Sequence, residues 1–392
     1  MPKQNTLYVD LHVHTSYYPG ASRDLTLENL IKFAKLKGLN VIGTGDALHP
    51  AWRTELKQNL ERQGDIYRQG EIYFIPTAEV KLNTYIHSVI VLPTLESFDE
   101  LYNILKNYGK LDKTGVPFIF ISGEKILKIV KELGGFLFPA HLFIPFQSIY
   151  AKYKNFSDYF EDEEKEIFCV EITPSVDTPM AEEVKDISNK SFLANSDCHS
   201  PLHLGRSFTL IYAEPSFKSI LKAIKENLLV SYEIPAPLGR YYETRCKNCG
   251  TFYRFNDAKT LNLKCEACGG KIWIGTKDRI GFELEKVQRD PLKKGHKFIS
   301  HVPLDLILRD LMGIRDFGEE TLAIIQRYKE IDLLHSLDLE KTAIPNKLKW
   351  AIEVIREGKY FIYPGGAWKE GKIILEKPKI EFYTPKQKSL FF

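Results

Sequence analysis

Two histidines stand two residues apart near the start of the chain, in the stretch YVDLHVHTS. They follow a run in which apolar residues occupy every second position from 7 to 13. Side chains alternate between the two faces of an extended strand, so the rings of His12 and His14 would point the same way. With their Cα atoms about 6–7 Å apart, the two rings could bind one metal ion. The alternative is a polar pair on the wet face of an edge strand, and further ligands decide between the two.

Further ligand-type side chains follow other predicted strands, nearly all of them at the carboxyl end. In a β/α barrel those ends converge on one rim, where such folds carry their chemistry. His87 is the exception, because it opens its predicted strand. The other candidates are Asp46, Glu79, His141, Glu171, Asp197 and His199. So many imidazoles and carboxylates at one predicted rim indicate a site for several metal ions.

The elements that must position these residues alternate along the first part of the chain. Short apolar runs alternate with amphipathic stretches as far as about residue 235, which is typical of a β/α architecture. The predicted strands are 6–14, 39–46, 71–79, 87–93, 116–122, 134–141, 167–173, 191–197 and 207–213. The predicted helices are 25–38, 97–110, 123–135 and 216–228. The stretch IPAPLGRYY, with two prolines and a glycine, predicts a linker out of this unit.

Composition limits the class of protein. With 392 residues, 44% of them hydrophobic and 27% charged, the chain is typical of a globular protein with two or three domains. No apolar run approaches the roughly 20 residues of a membrane span, and the amino-terminal residues do not form a signal pattern. We therefore expect a cytoplasmic protein with no membrane contact, and a monomer. A net charge of +3 is too small to indicate a nucleic-acid partner by itself.

The mixture of ligand types indicates the ions and the reaction. Imidazole and carboxylate together suit Zn²⁺ or Mn²⁺, with Mg²⁺ as the alternative. Two or three such ions can activate a bound water and neutralise charge on a phosphoryl group. Phosphoester hydrolysis is therefore the predicted chemistry. Glu79 is expected to bridge ions, with Asp197 and His199 completing the set of catalytic residues.

The ligand motifs resemble, in type and order, those of the polymerase and histidinol phosphatase (PHP) superfamily. The resemblance covers about the first 235 residues and implies two or three ions in a distorted seven-stranded β/α barrel. The matching residues are His12, His14, Glu79, His87, His141, Asp197 and His199. We therefore expect an α/β fold in which a distorted (β/α)7 PHP barrel, residues 1–235, is followed by smaller units at 236–284, 285–384 and 385–392.

Two positions depart from the usual pattern of the superfamily. Many members carry Thr-Asp-His at the second motif, whereas this chain has Thr-Gly-Asp at 44–46. Asp46 would then supply a carboxylate in place of an imidazole, and a contribution from His49 stays open. Asp24 lies where some members place a further ligand, but it also suits the cap of a helix that starts at Leu25. Asp24 and Asp46 are both counted among the expected metal ligands.

A second metal site is indicated by four cysteines in the unit at 236–284. Their spacing is C-x₂-C, fifteen residues, and C-x₂-C, which is a strong zinc-ribbon signal. The ligands are Cys246, Cys249, Cys265 and Cys268. Because all four ligands come from the protein, this zinc has no open position and should be structural.

The ribbon region is also basic and aromatic. Residues 240–281 contain nine Lys or Arg against four Asp or Glu, with six aromatic residues interleaved. Cations for phosphates and rings for bases are what a nucleic-acid surface needs. The expected DNA-binding residues are Arg206, Arg245, Lys247 and Arg254. The alternatives are a small module whose aromatic residues form its core and, for Arg206, a surface salt bridge.

Less is indicated for the third unit. Residues 301–328 predict two amphipathic helices around a glycine-containing turn, which could pack against the barrel or contact DNA. The stretch YPGGAWKEG at 363–371 predicts a β-turn, and the alternative is that its backbone amides approach a phosphate or a base.

The last six residues, QKSLFF, resemble a compressed sliding-clamp-binding peptide. The residues concerned are Gln387, Leu390, Phe391 and Phe392. The usual pattern has two residues between the aliphatic and the aromatic positions, and here there are none. The competing interpretation is that this tail docks on its own chain, since exposed apolar residues favour association.

The order of barrel, four-cysteine ribbon, mixed helical C-terminal domain and clamp peptide resembles the archaeal endonuclease Q family. The resemblance implies a repair enzyme that nicks DNA 5′ to uracil, hypoxanthine, xanthine and abasic sites. It also implies damaged DNA and the sliding clamp (PCNA) as partners, near the nucleoid of an archaeal cell. The damaged nucleotide would be extruded into a pocket beside the rim. The alternatives are a small-molecule phosphoesterase, or a non-catalytic lesion or clamp adaptor.

Overall fold

The computed structural model describes residues 5–287, 295–315 and 317–384. The strands are β1 (Thr6–Asp10), β2 (Val41–Gly43), β3 (Glu61–Gln63), β4 (Ile66–Gln69), β5 (Ile72–Ile75), β6 (Thr77–Leu82), β7 (His87–Val91), β8 (Phe118–Ile119), β9 (Phe136–Pro139), β10 (Cys169–Glu171), β11 (Ser191–Leu193), β12 (Phe208–Tyr212), β13 (Leu229–Glu233), β14 (Arg245–Cys246), β15 (Ile272–Trp273), β16 (Phe298–Ser300), β17 (Phe361–Tyr363) and β18 (Lys372–Ile374). The α-helices are α1 (Leu27–Lys37), α2 (Pro50–Asn59), α3 (Leu95–Leu105), α4 (Gly123–Glu132), α5 (Ser157–Phe160), α6 (Thr178–Ala181), α7 (Phe217–Lys225), α8 (Phe255–Thr260), α9 (Thr276–Phe282), α10 (Leu304–Ile307), α11 (Glu319–Tyr328), α12 (Glu330–His335) and α13 (Asn346–Arg356). Within these residues, no helix combines the length and the apolar character that crossing a membrane requires.

Seven strand segments close into a ring when β5 and β6, which are separated only by Pro76, are counted as one. β1 pairs in parallel with β2 and β2 with β5, and the chain continues from β5 into β6 across Pro76. β6 pairs antiparallel with β7, and β7 with β9. After β9, the amide of Leu142 donates to the carbonyl of Glu171 at the end of β10 (3.0 Å), and β10 pairs in parallel with β11. A parallel bridge between Val13 and Cys198 returns to the start. The predicted distorted seven-stranded barrel is therefore confirmed.

The distortion is the reversed strand β7. Because β7 runs antiparallel to both neighbours, its first residue lies at the mouth where the other strands have their carboxyl ends. His87 is that first residue, and it lies opposite Lys81 of β6. The exceptional sequence position of His87 therefore has a topological cause, and it still brings the ring to the ligand-rich rim.

Packing around β1 differs from the prediction at one residue. Leu7, Val9 and Leu11 belong to one buried cluster with residues of neighbouring strands and of α7. Val13 belongs to a different cluster, which includes residues of α1 to α4. β1 ends at Asp10, so the strict alternation of faces does not continue to residue 13. The prediction of one apolar face from 7 to 13 is wrong at Val13.

Helix α1 begins two residues later than the predicted Leu25. Thr26 is its cap, and its side-chain oxygen accepts from the backbone N–H of Asn29 (3.3 Å). A threonine cap satisfies one of the free N–H groups of the first turn. Asp24 is therefore not the cap, and its exposed carboxylate accepts from the hydroxyl of Ser22 (3.3 Å).

The described residues between 295 and 384 pack against the barrel. β16 pairs in parallel with β13, and Leu36 of α1 belongs to one buried cluster with residues of α10, α12 and α13. Lys37 Nζ in α1 lies 2.7 Å from Glu330 Oε2 in α12, with both side chains 1% exposed. The two predicted helices in 301–328 are confirmed as α10, which continues into a π-helical turn over Leu308–Met312, and α11. The domain boundaries at 235, 284 and 384 stay predictions.

Two histidines meet between the barrel sheet and this segment. His301 Nδ1 lies 2.8 Å from His335 Nε2, and both rings lie near the ring of Tyr232. Burial and, to a smaller extent, the charge of Arg356 together lower the pKa of His335 to about 4. Burial also holds the pKa of His301 well below its ordinary range, with His335 and Lys37 contributing. The folded chain therefore keeps this pair uncharged at neutral pH.

This pair predicts acid destabilisation. An unfolded histidine gains its proton near pH 6.5, before the folded His335 does, so stability present above that pH is lost as the pH falls towards 4. Between pH 7 and pH 5 we expect His335 to remove about 2 kcal/mol from the free energy of unfolding. Denaturant unfolding at both pH values should show a smaller loss in His335→Gln than in the parent. Equal losses in the two proteins would contradict this assignment.

Candidate metal centre

Three groups of ligand-type side chains lie at the mouth of the barrel. They consist of His12, His14 and Glu79; of Glu79, His87 and His141; and of His14, Asp197 and His199. Within each group the ligand atoms lie within 4.8 Å of one another. Glu79 belongs to the first two groups and His14 to the first and third, so the three groups form one continuous site. The seven residues that carry the PHP resemblance are thereby brought together.

Glu79 lies at the centre of this site. Its Oε1 lies 2.6 Å from His87 Nδ1, 3.3 Å from His141 Nε2 and 3.6 Å from His12 Nε2. Its Oε2 lies 3.6 Å from His14 Nε2. Glu79 is in the middle of β6, whereas the sequence predicted it at the end of a strand. A carboxylate with imidazoles beside both oxygens is placed to bridge two ions.

Asp197 and His199 form the open side of the site. Asp197 Oδ1 lies 2.9 Å from His14 Nε2, 3.4 Å from His12 Nε2 and 3.7 Å from His199 Nδ1. The side chain of His199 is 40% exposed and that of Asp197 is 27% exposed, whereas those of His12 and His14 are 1% exposed. A reacting group would therefore reach the site from the side of Asp197 and His199.

The backbone is strained at three residues of the mouth. Asp46, His141 and Asp197 have φ values of 46°, 33° and 47°, in the left-handed region. Such conformations cost on the order of 1–3 kcal/mol for residues other than glycine and persist where the surrounding structure imposes them. Each of these residues follows a barrel strand, so the turn that aims the side chain into the mouth accounts for the strain.

The donor atoms fit metal ions. Several buried imidazole nitrogens in the described part of the chain make no hydrogen bond: His12 Nε2, His87 Nε2 and His141 Nδ1. Buried polar atoms without a partner are rare, so their concentration here indicates a missing bonding partner. Apart from the 2.6 Å between His87 and Glu79, the separations of 2.9–3.7 Å between these ligand atoms also match ligands that share one ion at bond lengths of about 2.0–2.2 Å.

Charge in the site is tightly coupled. Burial lowers the pKa of His12, but the carboxylates of Glu171, Asp197 and Glu79 outweigh burial and raise that pKa to about 9. Burial raises the pKa of Glu79, but His87, His141 and His12 hold it well below its ordinary range. Ionised Glu79 is therefore paired with His12 and His14, whose raised pKa values favour the protonated form, whereas burial lowers the pKa of His87. A cation that binds here would displace those protons.

Glu171 orients ligands and lies outside the three groups. Its carboxylate accepts from His12 Nδ1 (3.0 Å), from the backbone N–H of His141 (2.7 Å) and from Asn195 Nδ2 (2.8 Å). A carboxylate on the far nitrogen of an imidazole fixes the ring and increases its basicity as a ligand. With Nδ1 held in this way, His12 presents Nε2 to Glu79 and Asp197.

Asp46 has a comparable place beside His14. Its Oδ1 lies 3.5 Å from His14 Nδ1, while Oδ2 accepts from the backbone N–H (2.9 Å) and the hydroxyl (2.5 Å) of Thr15. Asp46 is fully buried and belongs to none of the three ligand groups. The expectation that it replaces an imidazole as a direct ligand therefore does not fit its placement, because the ring of His14 stands between Asp46 and the carboxylates.

Asp24 and His49 are not brought into the ligand groups. The carboxylate of Asp24 is exposed beside Ser22. His49 Nε2 faces the carbonyl oxygen of Asp112 (3.1 Å), and its ring lies 4.5 Å from that of Tyr17. The sequence neighbourhood suggested Asp24 as a ligand, but its position ahead of the Thr26 cap directs it to solvent.

We expect Glu171→Gln to weaken binding of the barrel ions by about 10- to 100-fold, since loss of such a supporting partner typically has that effect. The change removes the negative charge that holds His12 and keeps the size of the side chain. Competition titration with a metal-sensitive dye measures the affinity. Glu285→Gln, at an exposed salt bridge with Lys185, is the matched control. Equal affinities in both variants would refute the orienting role.

A cavity of about 460 Å³ opens from the metal-ligand groups. Its size lies within the roughly 300–1,000 Å³ typical of ligand pockets. Its walls come from the barrel mouth, from the predicted linker and from the C-terminal segment. The walls beyond the ligands include Tyr18, Ile144, Phe146, Gln147, Arg206, Leu238, Arg240, Tyr241, Leu306 and Glu370. The linker and the C-terminal segment are therefore parts of the site.

Arg206 was expected either to contact DNA or to form a surface salt bridge, and its placement agrees with both. It lines the cavity, and it also forms an ion pair with Asp305. Glu370, which also lines the cavity, forms ion pairs with Arg240 (2.8 Å) and with Arg309 (2.6 Å). These ion pairs connect the barrel, the linker and the C-terminal segment along one wall of the cavity.

Sequence reasoning missed the aromatic contacts around residues 363–371. The predicted turn is confirmed, since the amide of Lys369 donates to the carbonyl of Gly366 (3.1 Å), as in a β-turn. Trp368 in that turn stacks on Phe146 with ring centroids 6.0 Å apart and planes 9° apart, and it meets the edge of Tyr241. In the sequence, only Trp368 beside Lys369 pointed to a contact surface in this region, and no sequence pattern connects Trp368 with Phe146.

The four cysteines form the predicted cluster. Cys246 Sγ lies 3.5 Å from Cys268 Sγ, and Cys249 Sγ lies 3.5 Å from Cys265 Sγ. Four thiolates around zinc at about 2.3 Å are separated by about 3.8 Å, so these distances fit one tetrahedral ion. Tyr253, which is fully buried, donates its hydroxyl to Cys265 Sγ (3.1 Å).

The ribbon cations divide into two kinds. Arg245 is 7% exposed, donates to the carbonyl of Gly250 (3.0 Å) and lies over the ring of Phe252 (4.2 Å). Its expected contact with DNA is therefore replaced by a packing role. Lys247 and Arg254 are exposed, and Lys247 lies over the ring of Trp368 (4.7 Å). The buried aromatic residues agree with the core interpretation, while these two cations are available to a partner.

The predicted clamp-binding residues lie outside the described residues. They are Gln387, Leu390, Phe391 and Phe392. The interpretation of the tail therefore stays a prediction.

Two comparisons with known proteins match parts of the chain. A family described as PHP-associated matches residues 179–228. An uncharacterized protein of Methanocaldococcus jannaschii is 33% identical over 256 residues, which is 62% of this chain. The chain spans only 32% of the length of that relative.

Two solved structures are similar over nearly the full length. The lesion-specific endonuclease PfuEndoQ from Pyrococcus furiosus is 32% identical with a TM-score of 0.87, covering 95% of this chain and 96% of that chain. A complex of Endonuclease Q with a 27-mer duplex substrate, which has an abasic lesion at the active site, is 31% identical with a TM-score of 0.88. It covers 95% of this chain and 97% of that chain. Barrel, ribbon and C-terminal segment therefore recur together in those proteins.

Proposed function

Because this chain belongs to the endonuclease Q family, we propose that it is a metal-dependent DNA endonuclease specific for damaged nucleotides. Its cut lies 5′ to uracil, hypoxanthine, xanthine or an abasic site. One observation carries the proposal. The three ligand groups, which are joined through Glu79 and His14, open directly into a cavity of about 460 Å³. A phosphodiester at the ligands and a damaged nucleoside in the cavity are then neighbours.

The ions proposed for the barrel are two or three Zn²⁺ or Mn²⁺, with Mg²⁺ as the alternative, and a further Zn²⁺ for the four cysteines. When bound, the barrel ions supply an activated water and neutralise phosphoryl charge. The chain's own residues hold and orient this chemistry. Glu79 would be shared between neighbouring ions, and Asp197 and His199 would hold an ion on the exposed side, while Glu171 and Asp46 orient the rings of His12 and His14.

The cavity provides walls for an extruded nucleoside. Ile144, Phe146 and Leu238 offer apolar surface, while Gln147 and Arg240 offer hydrogen-bond donors. Mismatched and damaged bases cost less to unstack than paired ones, which favours them in such a pocket. On the outer side, the exposed Lys247 and Arg254 of the ribbon are placed to contact phosphates.

The decisive assay offers three substrates to the metal-supplemented protein: a duplex with one uracil, the same duplex undamaged, and a nucleoside monophosphate. We expect a single cut beside the uracil, leaving 3′-hydroxyl and 5′-phosphate ends, and loss of cutting in Asp197→Ala. Phosphate release from the monophosphate with an intact duplex would instead identify a small-molecule phosphoesterase. Tight lesion binding without a metal-dependent cut would identify an adaptor.

We also propose that residues 385–392 bind a sliding clamp. The proposed location is the cytoplasm of an archaeal cell, at the nucleoid, and the proposed oligomeric state is a monomer. Deletion of residues 385–392 should abolish capture by the clamp and leave intrinsic nicking unchanged. A pull-down with purified clamp, run beside a nicking assay, measures both. Capture of the truncated chain would refute the assignment.

A further inference from the structure

Three aromatic side chains form an exposed row beside the barrel mouth. Tyr85 is 60% exposed and Phe120 is 70% exposed. The half-buried Phe118 lies between them, with its ring centroid 4.8 Å from that of Tyr85 and 4.6 Å from that of Phe120. Single exposed apolar residues are common, but neighbouring exposed rings indicate an interaction surface.

Lysines accompany these rings. Lys152 Nζ lies 5.3 Å from the ring centroid of Tyr85 and donates to the carbonyl of Thr84. Lys81 Nζ lies 5.4 Å from the ring centroid of Tyr18. Neither lysine has a carboxylate in an ion pair among the residues that the structure describes. Their charge is therefore available to an anionic partner.

The row is continuous with the metal-ligand groups. Lys81 lies in β6 two residues after Glu79, and it pairs in register with His87 on one side and Phe118 on the other. The ring of Tyr18, which carries Lys81 on its face, lies 4.9 Å from the ring of His14. A strand leaving the metal centre in this direction would cross the lysines and reach the rings.

We propose that Lys81, Tyr85, Phe118, Phe120 and Lys152, the aromatic-lysine patch, bind an unpaired stretch of the DNA strand next to the cleavage site. The inference rests on the proposed function and names a substrate contact for it. Exposed rings stack on unpaired bases of any type, and unpaired lysines attract phosphates. A protein partner is less suited to the patch, because neither of its lysines forms an ion pair with a carboxylate among the described residues, which leaves a purely cationic edge beside the rings.

The test compares the parent with the double variant Tyr85→Ala, Phe120→Ala. Fluorescence anisotropy with an undamaged single strand, which is not a substrate, gives the affinity. Each lost stacking contact should weaken binding by roughly 5- to 150-fold. The KM for a single strand with one abasic site should rise in parallel, with kcat changed less than about twofold. Trp350→Ala, which removes a 41% exposed ring on α13, is the matched control, and Phe120→Tyr should retain affinity.

A second variant tests the charge. Lys152→Gln should lower the slope of log Kd against log salt concentration by about 0.7 for a single strand. An unchanged slope, or affinity of the double variant within about twofold of the parent, overturns the inference. If the parent cuts lesions normally in that case, the proposed function stands alone. If the parent binds the strand through the patch but cuts nothing, the inference stands and the proposed function fails. A change in oligomeric mass without a change in affinity assigns the patch to self-association and overturns the inference.

Discussion

Glu79→Gln is expected to reduce nicking by at least about 1000-fold. Glu79 belongs to two of the three ligand groups, so losing its charge weakens two sites at once. Loss of a residue that only supports a ligand typically costs about 10- to 100-fold, and removal of a bridging ligand should cost more. Single-turnover cleavage of a uracil-containing duplex measures the loss. Glu61→Gln, at an exposed position of β3, is the matched control.

The loss of activity at the other ligands should follow the number of ligand groups to which each belongs and its burial. His199 belongs to one group only and is 40% exposed, so His199→Ala should lose less activity than Glu79→Gln. His14→Ala, in two groups and buried, should resemble Glu79→Gln. A larger loss for His199→Ala than for Glu79→Gln would contradict the bridging role and place the essential ion at the third group.

Cys265→Ser is expected to release the zinc proposed for the four cysteines and to unfold the ribbon. Zinc binding contributes on the order of 10 kcal/mol to the folding of small four-ligand modules. Cys265 is buried and accepts a hydrogen bond from Tyr253, so no other side chain takes its place readily. Zinc content should fall by one ion per chain, and limited proteolysis should open the segment 245–282.

Cys169→Ala is the control for Cys265→Ser, because it changes a buried cysteine of β10 that lies outside the cluster. This variant should retain the ribbon zinc. Because Arg245 packs the ribbon against the turn that carries Trp368, loss of the ribbon should also lower lesion binding at the cavity. Full zinc content and protease resistance in Cys265→Ser would show that the cluster is not the structural site.

The parts of the site that follow from local pattern were predictable. A histidine or carboxylate after a strand lies at the barrel mouth, and two Cys-x-x-Cys knuckles define a zinc site at any fold position. What escaped prediction depends on tertiary packing. His87 was predicted as a ligand, but the reversed direction of β7, which brings it to the mouth, was not. For Asp46, only its position behind the ring of His14 shows that it orients a ligand and is not one itself.

The walls of the cavity could not be predicted from the sequence. They come from segments as distant as Phe146, Tyr241 and Glu370, whose residue types carry no shared pattern. Similarly, Arg245 and Arg254 look alike as basic residues of the ribbon, yet burial separates them. Charge and spacing identified the right region, and packing decided which side chain faces a partner.

The shared metal centre can be examined directly by anomalous X-ray scattering from crystals grown with Mn²⁺. We expect two or three peaks among the ligands joined by Glu79 and His14, beside a zinc peak at the four cysteines that serves as an internal control. A zinc peak at the cysteines with no peak at the barrel mouth would contradict metal-dependent cleavage by this chain.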